Sequence, residues 1–357
     1  MLAKSKTFKE LTLTVVIPTY NEKDNVRPLI ALLDETLQTI VWEVVFVDDD
    51  SPDGTADEVR QIARKRENVR VIHRVGRRGL SGACIEGILS SSAPFAAVMD
   101  GDLQHDERIL VSMLAALEKD SDVDLVVGSR NVSGGSVGSG LTKIRSLGSD
   151  VATILARQLL KITVKDPMSG FFMVRLESFR GVVEELQMQG FKILTDLLSA
   201  SRGGWKVIEI PFVFKERKFG ESKMDSAVTL EYFGLILARL SGGRLSIRFI
   251  LFLFVGLTGV LVQLIMVALF LKVLLFSFFY SQILGVVAAM TSNFFLNNML
   301  TYRDQSLIGR QALIGLISFY FVCSLGAVAN VAIANIVYSV IPLWVFASFL
   351  GSVMSSL

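Results

Sequence analysis

The chain has 357 residues, with 36 Lys and Arg against 34 Asp and Glu and a net charge of +2. This length exceeds the roughly 100 to 200 residues of one domain, so at least two domains are expected. The near balance of charge excludes the strongly basic surface of a nucleic-acid-binding protein, and we expect no nucleic-acid partner.

Charged residues are concentrated in the first part of the chain. Those that follow position 248 are Lys272, Arg303, Asp304 and Arg310. A soluble half is therefore predicted to precede a lipid-embedded half. The N-terminal stretch MLAKSKTFKELTLTV has neither the apolar core nor the cleavage site of a signal peptide, so we expect the first half to stay in the cytoplasm. Cys84 and Cys323 lie one in each half, which indicates neither a disulfide framework nor a zinc site.

The soluble half alternates strand and helix patterns. Apolar runs bounded by turn residues predict strands at 13–17, 42–47, 69–73, 95–99 and 125–128. Helical patterns lie between them, such as 23–39 and 55–65, the second with Ser51, Asp53 and Thr55 as capping candidates. This alternation predicts an α/β domain with a mostly parallel sheet covered on both faces.

Polar residues follow these strands. They are PTYNE at 18–22, DDDS at 48–51, DGD at 100–102 and GSR at 128–130. Ligands of parallel sheets bind beyond the carboxyl ends of the strands, so these groups are expected to line one crevice. A dinucleotide-binding fold would instead have G-x-G-x-x-G after the first strand, where PTYNE stands.

Two aspartates flank one glycine after the fourth strand. Asp100 and Asp102 can reach one hard cation, and Gln104 can add an amide oxygen. Mg²⁺ or Mn²⁺ fits such oxygen ligands, because Mg²⁺ typically takes one or two carboxylates and completes its shell with water and phosphates. The alternative is a simple turn or helix cap.

The groups after the first two strands indicate a nucleotide site. Asp49 is predicted to contact the base or ribose, with Tyr20 and Glu22 against the same nucleoside. The alternative is helix capping, by Asp50 or Ser51 before the second helix and by Asn21 or Glu22 before the first.

Basic residues near turns are candidates for balancing a diphosphate and an anionic acceptor. They are Arg130, Arg145, Arg217 and Lys223, the last two in the stretch FKERKFGESK, whose Gly220 permits a lid-like loop. A solvated basic loop attracted to anionic headgroups is the other interpretation.

Seven motifs in order resemble the family-2 inverting glycosyltransferases of GT-A fold, specifically the dolichol-phosphate or polyprenol-phosphate mannose synthases. They are VVIPTYNE (15–22), VDDDSPDGT (47–55), GLSGA (79–83), MDGDLQH (99–105), GSR (128–130), DPMSGFF (166–172) and FGESK (219–223). As a set they are specific for transfer to a polyprenyl phosphate and less specific for the sugar. The resemblance implies transfer of mannose from GDP-mannose to dolichyl or polyprenyl phosphate.

The resemblance also implies a role for each matched residue. Pro18, Tyr20, Glu22, Val47 and Asp49 would hold the guanosine, and Asp100, Asp102 and Gln104 the metal, with Gly101 contacting the donor through its backbone. Arg130 and Arg145 would meet the lipid phosphate, and Arg217 and Lys223 the donor phosphates or the acceptor. Asp102, Arg217 and Lys223 would be the catalytic residues.

Four further features of the matched motifs carry expectations of their own. Relatives more often have alanine where this chain has Gly101, a change expected to be harmless, and the spacing from Arg130 to Arg145 is about one residue long for the family. In DPMSGFF, Asp166 and Ser169 either shape the acceptor side or form a turn before a buried strand. His105 is expected to pack rather than to react.

A phosphate monoester has its second pKa near ~6, so the acceptor is already a nucleophile at neutral pH. The remaining task is to stabilise charge on the leaving nucleoside diphosphate, which a metal and cationic side chains can do. We predict in-line attack at the anomeric carbon with inversion and a β-linked product.

Four membrane spans are predicted, at 249–271, 274–299, 312–335 and 341–357, and this half resembles the GtrA-like family, suspected of moving polyprenyl-linked sugars. Arg244, Arg248, Arg303 and Arg310 flank the predicted cytoplasmic ends. The resulting division is a cytoplasmic GT-A domain at 1–223, amphipathic interface helices at 224–248 and a transmembrane domain at 249–357. An ordinary domain-packing helix is the alternative for 224–248.

Two pairs of membrane segments have weakly similar sequences. FLFVGLTGVLVQ resembles FYFVCSLGAVAN, and QILGVVAAMTSN resembles SFLGSVMSS, which predicts two parallel helix pairs. The second copy stops at Leu357, so a native tail of about ten further residues is expected. Asn293, Asn297 and Asn298 are predicted to make helix contacts or line a path.

Two rival functions remain open from the sequence. One is the same chemistry with UDP-glucose as donor. The other is a transporter or scaffold with an inactive transferase domain.

Overall fold

The protein was analysed as a computed structural model, which describes residues 10–137, 157, 162–187, 192–215, 226–242 and 244–355. It forms two compact units, Met1–Ile247 and Arg248–Leu357. Each unit is described by itself.

The first unit contains a main sheet of seven strands among the described residues. Its strands among the described residues are β1 (Leu13–Thr19), β2 (Trp42–Asp48), β3 (Val69–His73), β4 (Phe95–Val98), β5 (Val123–Ser129), β7 (Phe172–Arg175) and β8 (Lys206–Pro211). They lie in the order β3-β2-β1-β4-β7-β5-β8, and only β7 runs against its neighbours in this described sheet. A separate parallel pair joins β6 (Ser136–Val137) to β9 (Val213–Phe214). The predicted mostly parallel α/β fold is confirmed.

The central strands of the sheet carry buried side chains on both faces. All seven residues of β1 and all seven of β2 are buried, as expected of strands covered on both faces. Pro18 is tolerated near the end of β1 because the pairing with β4 stops at Val16 and Val98, so its missing N–H breaks no bond on that side. The sheet is therefore open at the carboxyl end of β1, where the predicted crevice begins.

The first unit also contains helices. They are α1 (Lys23–Thr36), α2 (Thr55–Ala63), α3 (Leu80–Leu89), α4 (Ile109–Lys119), α5 (Leu176–Val182), α6 (Ile193–Ala200) and α7 (Ser226–Leu240). Of these, α1 and α2 match the two helical patterns predicted at 23–39 and 55–65. The expectation that Asp50 or Ser51 caps α2 is wrong. Asp53 does so, because its Oδ1 accepts from the N–H and hydroxyl of Thr55 at 2.9 and 2.6 Å.

The second unit is helical, with α8 (Ile247–Ala268), α9 (Phe278–Leu296), α10 (Arg310–Val340) and α11 (Trp344–Met354). Single π-helical turns extend α8 and α9. Among the described residues, three helices are long and apolar enough to cross a membrane: Ile247–Val273, Phe278–Thr301 and Arg310–Val340. They match the first three predicted spans. The fourth, predicted at 341–357, corresponds to an 11-residue helix, shorter than the ~20 residues that a crossing needs.

A buried amide network joins the helices of the second unit. Asn330 Oδ1 of α10 accepts from Gln263 Nε2 of α8 at 3.2 Å and from Gln282 Nε2 of α9 at 2.8 Å. Ser348 of α11 donates to Gln282 Oε1 at 2.7 Å, and Ser352 donates to Gln263 Oε1 at 3.1 Å. These bonds fasten the short α11 to the longer helices, which satisfies polar groups that an apolar surrounding would otherwise penalise.

The asparagines noted in the sequence make local contacts. Asn298 exchanges two hydrogen bonds with the backbone of Leu307, at 2.7 and 3.0 Å, and Asn297 accepts from Thr301 at 2.8 Å. Asn293 lies so close to Gly259 that a Cβ there would approach its Oδ1 to 2.4 Å. Of the three asparagines, Asn293 therefore contacts a neighbouring helix, whereas Asn297 and Asn298 bond within their own helical segment and to the loop that follows it.

Cations lie over aromatic rings at two places in the second unit. The Arg248 guanidinium is 5.7 Å from the Tyr302 ring centroid, near the start of α8 and the end of α9. The Lys272 ammonium is 5.2 Å from the Trp344 ring centroid, after α8 and at the start of α11. Amphipathic aromatic and long basic side chains are typical of membrane interfaces.

Helix α7 falls in the segment predicted to lie at the membrane interface. Tyr232, Ile236 and Ala238 are buried, whereas Leu237 and Leu240 are exposed. Arg239 binds Asp196 of α6 through Nε and Nη2 at 2.7 and 2.6 Å, and both side chains are buried, at 7% and 2% exposure. One face of α7 therefore packs within the first unit.

We expect Arg239→Met to destabilise the first unit by about 3–5 kcal/mol, because the buried Asp196 carboxylate loses its partner. Arg202→Met is the matched control, since Arg202 pairs with Glu185 at 78% and 46% exposure, and should cost less than about 1 kcal/mol. Thermal unfolding of the detergent-solubilised chain measures both. Equal melting temperatures for the two variants would contradict the assigned role of the buried pair.

Candidate active site

The acidic turn after β4 lies directly against the end of β1. A Cβ built on Gly101 would stand 3.3 Å from Ile17 Cγ2, 3.4 Å from Thr19 Cγ2 and 3.8 Å from Glu22 Cγ. The DGD and PTYNE segments are therefore neighbours in space, although Asn21 and Gly101 are 80 positions apart in the sequence. The predicted parallel topology led us to expect this proximity.

A strained residue completes this turn. Leu103 has a left-handed φ of 64° although its side chain is buried. Such a conformation costs a non-glycine residue on the order of 1–3 kcal/mol and persists only where the surroundings impose it. Directly before it, Asp102 is 5% exposed, and its Oδ1 accepts from the Gln104 N–H at 3.1 Å. The turn is thus held in one conformation by core packing and by its own carboxylate.

His105 contacts Asp100 at two atoms. Its Nδ1 accepts from the Asp100 N–H at 3.0 Å, and its Nε2 lies 3.5 Å from Asp100 Oδ2. The ring is stacked on Phe171, with centroids 4.9 Å apart and planes 9° apart. Burial lowers the pKa of His105 to about 4, so the ring is neutral at physiological pH. The structure thus gives this histidine contacts beyond the packing expected from sequence.

Gly170 lies close to the carboxylate of Asp100. A Cβ on Gly170, in the DPMSG segment, would stand 3.1 Å from Asp100 Oδ2 and 3.3 Å from Oδ1. The carboxylate would have to move to admit it. Gly170 therefore has a steric reason to be glycine that the sequence did not disclose.

The residues after the acidic turn anchor the start of the basic segment. The Lys215 N–H donates to Gln104 O at 2.8 Å, and Gln104 Nε2 donates to Lys215 O at 3.0 Å. The Lys215 ammonium binds Glu107 at 3.0 Å. Position 215 is thus tied to Gln104 by main-chain and side-chain hydrogen bonds and to Glu107 by its ammonium group. Arg217 and Lys223, which follow it, lie outside the described residues, as does Arg145.

Asp100, Asp102 and Gln104 fit a hard divalent cation by their chemistry. Their side chains offer carboxylate and amide oxygens, the ligands that suit Mg²⁺ and Mn²⁺. Over the described ranges, no group of three or more His, Cys, Asp and Glu could form a metal site. Two carboxylates on a short turn do not make a closed protein cage, and an open set of this kind suits an ion that shares its shell with substrate phosphates.

The three aspartates at the end of β2 and just after it bind different partners. Asp48 accepts from the N–H and hydroxyl of Ser51, at 3.0 and 2.6 Å. Asp49 binds the buried Arg74 and accepts from the Gly79 N–H at 2.6 Å. Asp50 binds His73 Nε2 at 2.9 Å.

Burial raises the pKa of Asp49, and the Arg74 charge acts in the opposite sense. The carboxylate links the end of β2 to the loop before α3. Arg74, which the sequence did not single out, is thus part of this side of the crevice.

The remaining predicted nucleoside residues lie beside this loop. Pro18 and Val47 are register partners in β1 and β2 and are buried. Tyr20 and Glu22 are partly exposed, and the Arg78 guanidinium lies 4.7 Å from the Tyr20 ring centroid. The structure thus brings the five predicted nucleoside residues to one corner of the sheet.

Arg130 forms a bidentate pair with the fully buried Asp166, from Nε at 2.8 Å and from Nη2 at 2.9 Å. The backbone N–H groups of Lys165 and Asp166 in turn donate to Glu209, at 2.9 and 3.2 Å. The Ser169 hydroxyl donates to Gly128 O at 2.7 Å. This segment is therefore pinned to the end of β5, and the acceptor roles of Arg130 and Ser169 stay predictions.

One further cation was missed in the sequence. Burial and the Arg130 charge together lower the pKa of Lys192 to about 8, while the charges of Asp100 and Asp166 act in the opposite sense. Its ammonium therefore lies within electrostatic range of the predicted acceptor and metal sites. A lysine before an apolar helix gave no signal, because only the fold brings it to the crevice.

Comparison with known proteins agrees with this geometry. Residues 14–183 match the family model Glycosyl transferase family 2, and residues 251–357 match GtrA/DPMS, transmembrane domain. The crystal structure of glucosyl-3-phosphoglycerate synthase from Mycobacterium tuberculosis, in complex with Mn²⁺, UDP and phosphoglyceric acid, is similar at a TM-score of 0.50 and 19% identity. The similarity covers 64% of this chain and 78% of that one, and it supports the GT-A fold.

Two curated relatives are closer in sequence. A dolichol-phosphate mannosyltransferase of Pyrococcus furiosus is 36% identical over 97% of this chain and 96% of its own length. A protein of the same name from Mycosarcoma maydis is 34% identical over 67% of this chain and 83% of its own. Since the first of these matches runs through both domains, the chain belongs to the dolichol-phosphate mannosyltransferase family of family 2 glycosyltransferases, with a GtrA/DPMS transmembrane domain as its second part.

Proposed function

We propose that this membrane protein transfers mannose from GDP-mannose to a dolichyl or polyprenyl phosphate, releasing GDP and forming a β-linked lipid mannose with inversion. The observation that carries the proposal is the contact of the Asp100 to Asp102 turn with the end of β1, which would bring the proposed cation site next to the proposed nucleoside site. The names of the relatives from P. furiosus and M. maydis support the sugar and the lipid acceptor.

Asp100, Asp102 and Gln104 would hold Mg²⁺ or Mn²⁺. When bound, this ion would neutralise the donor diphosphate and stabilise the charge on the leaving nucleotide. The Mn²⁺ and UDP named with the M. tuberculosis structure support such use within the fold. In this proposal Asp102 is a catalytic residue because it touches the ion, and its bond to the Gln104 N–H keeps it in place.

The donor nucleoside would lie against Pro18, Tyr20, Glu22, Val47 and Asp49, with Gly101 facing the donor through its backbone. Pro18 and Val47 are buried and would form the floor of this site. Tyr20 and Glu22 are partly exposed and would reach the nucleoside from the side. Asp49 is held by Arg74 and Gly79, which fixes its orientation.

The acceptor phosphate would be bound by Arg130, Arg145 and Ser169, with Arg217 and Lys223 on the donor phosphates or the acceptor. The bond to Asp166 uses two of the five guanidinium N–H groups of Arg130 and fixes the plane of the rest. An acceptor phosphate is largely dianionic at neutral pH, with a second pKa near ~6. These cations would therefore bring the nucleophile to the anomeric carbon rather than remove a proton.

The membrane arrangement belongs to the same proposal. The domain at 1–223 would be cytoplasmic, 224–248 would lie at the interface, and 249–357 would cross the bilayer. The basic residues Arg248, Arg303 and Arg310 support a cytoplasmic position for the start of α8 and the loop after α9. A fourth crossing at 341–357 would require α11 to lie in the bilayer with the bundle, to which Ser348 and Ser352 bind it.

Purified protein given a polyprenyl phosphate, Mg²⁺ and radiolabelled nucleotide sugars should form an organic-soluble product from GDP-mannose. Assays with UDP-glucose test the rival donor, and the anomeric configuration of the product tests inversion. Product from UDP-sugars alone would refute the mannose assignment. A protein that moves lipid-linked sugar but makes none would instead support the transporter alternative.

Asp100→Asn and Asp102→Asn should each lower the rate of lipid-mannose formation by about 100-fold or more, because each removes a charge from the proposed metal site. Asp122→Asn is the matched control, an exposed aspartate just before β5 at the opposite end of the sheet. Its rate should equal that of the unmodified chain. Normal activity of Asp102→Asn would exclude the proposed catalytic role.

Two glycines beside the acidic turn should respond differently to alanine. Gly101→Ala should keep most activity, since its Cβ meets only methyl and methylene groups that need to shift slightly. Gly170→Ala should raise the Mg²⁺ concentration needed for half-maximal rate about 10-fold, because its Cβ displaces the Asp100 carboxylate. Metal titrations of the two variants make the comparison, and the reverse order would contradict the assigned geometry.

A further inference from the structure

His105 is a buried titratable group for which the proposed reaction has no direct use. It is 2% exposed and lies five positions after Asp100, on the far side of the strained turn. Its ring nevertheless contacts both the main chain and the carboxylate of Asp100. A side chain that only fills space would need neither contact.

The hydrogen-bond pattern defines the state of the ring. Because Nδ1 accepts from the Asp100 N–H at 3.0 Å, Nδ1 carries no proton. A neutral imidazole then has its proton on Nε2, the atom that faces Asp100 Oδ2 at 3.5 Å. One ring thus accepts from the backbone and points its donor toward the side chain of the same residue.

Aromatic neighbours fix the plane of this ring. Phe171 is stacked on it, while Phe212 and Phe214 meet it at 83° and 63°, with centroids 5.6 and 5.8 Å away. Rotation of the imidazole about χ2 would break these contacts together with both contacts to Asp100. The ring is therefore a rigid support for a residue whose own side chain is partly exposed.

Asp100 is enclosed by this support and by Gly170. A Cβ on Gly170 would stand 3.1 Å from Asp100 Oδ2, so the carboxylate would have to shift to make room for it. His105 contacts both the main chain and Oδ2 of Asp100. A carboxylate held in one orientation loses less entropy on binding a cation than one that rotates freely.

We propose that His105 is a positioning residue, whose neutral imidazole holds Asp100 in the orientation that binds the divalent cation. This inference rests on the proposed function, because it takes Asp100 as a metal ligand. Hydrogen-bonding partners of ligating carboxylates typically change metal affinity by about 10- to 100-fold when they are removed. His105 would thus act on metal affinity through Asp100.

Three substitutions separate positioning from packing. His105→Phe keeps an aromatic ring among Phe171, Phe212 and Phe214 but removes both contacts to Asp100. His105→Asn keeps an acceptor for the Asp100 N–H and loses the Nε2 contact. Phe212→Leu loosens the aromatic cluster and leaves both contacts in place.

The test measures Mn²⁺ binding by the purified full-length chain with GDP present, using electron paramagnetic resonance to detect the Mn²⁺ that remains free. The melting temperature of each variant is measured as well. His105→Phe should raise the Kd for Mn²⁺ about 10- to 100-fold, and His105→Asn should lie between it and the unmodified chain. Phe212→Leu should lower the melting temperature and keep the Mn²⁺ affinity. If His105→Phe does not fold, the intermediate Kd of His105→Asn supports the inference and an unchanged Kd overturns it.

Unchanged Mn²⁺ affinity of a folded His105→Phe variant would overturn the proposal, as would an equal loss in Phe212→Leu. The readout is independent of sugar transfer. If the chain binds Mn²⁺ through Asp102 but makes no lipid mannose, the proposed function fails while the role of His105 is still decided by the binding data.

Discussion

The first unit depends on holding two carboxylates on one short turn at the rim of an apolar sheet. Asp100 and Asp102 follow β4, whose four residues are all buried, so their charges interact more strongly than they would in bulk water. Arg130 and Lys192 lie within electrostatic range of Asp100, and the turn is locked by the left-handed Leu103. The turn thus places two carboxyl side chains at the rim of the sheet, with Asp102 buried and Asp100 partly exposed.

Most of the first unit could be predicted because burial leaves a direct signal in the sequence. Strands covered on both faces, such as β1 and β2, read as continuous apolar runs, and their ends are marked by polar turns. The sequence indicated a buried strand after the turn at Pro167–Gly170, where β7 lies, but not its antiparallel direction, since strand direction depends on which neighbours a segment finds in space. Of the capping candidates named for α2, Ser51 bonds to Asp48 instead, and Asp53 is the one that bonds to Thr55 at the start of the helix.

The candidate site could be predicted where its residues are close together in the sequence. It could not be predicted where the fold brings distant segments together. The spacing of Asp100, Asp102 and Gln104 is local, and so is the chemistry it implies. Arg74, Gly170 and Lys192 reach the crevice only through the fold, and nothing in their own sequence neighbourhood indicates a ligand. His105 is intermediate, because the motif contains it but only the three-dimensional positions of Phe171 and Asp100 reveal what its two nitrogens do.

In the second unit, the fourth predicted span differs from the other three in the length of its described helix and in its polar contacts. Residues 341–357 are apolar enough to suggest a crossing, yet the helix that forms there, Trp344–Met354, has 11 residues. It is joined to the longer helices by Ser348 and Ser352, which bind Gln282 and Gln263. Apolar side chains gain little by leaving lipid for protein, so helices in a bilayer associate through packing and hydrogen bonds. The polar residues of α11, which lower its hydropathy, are therefore the ones that attach it to the bundle.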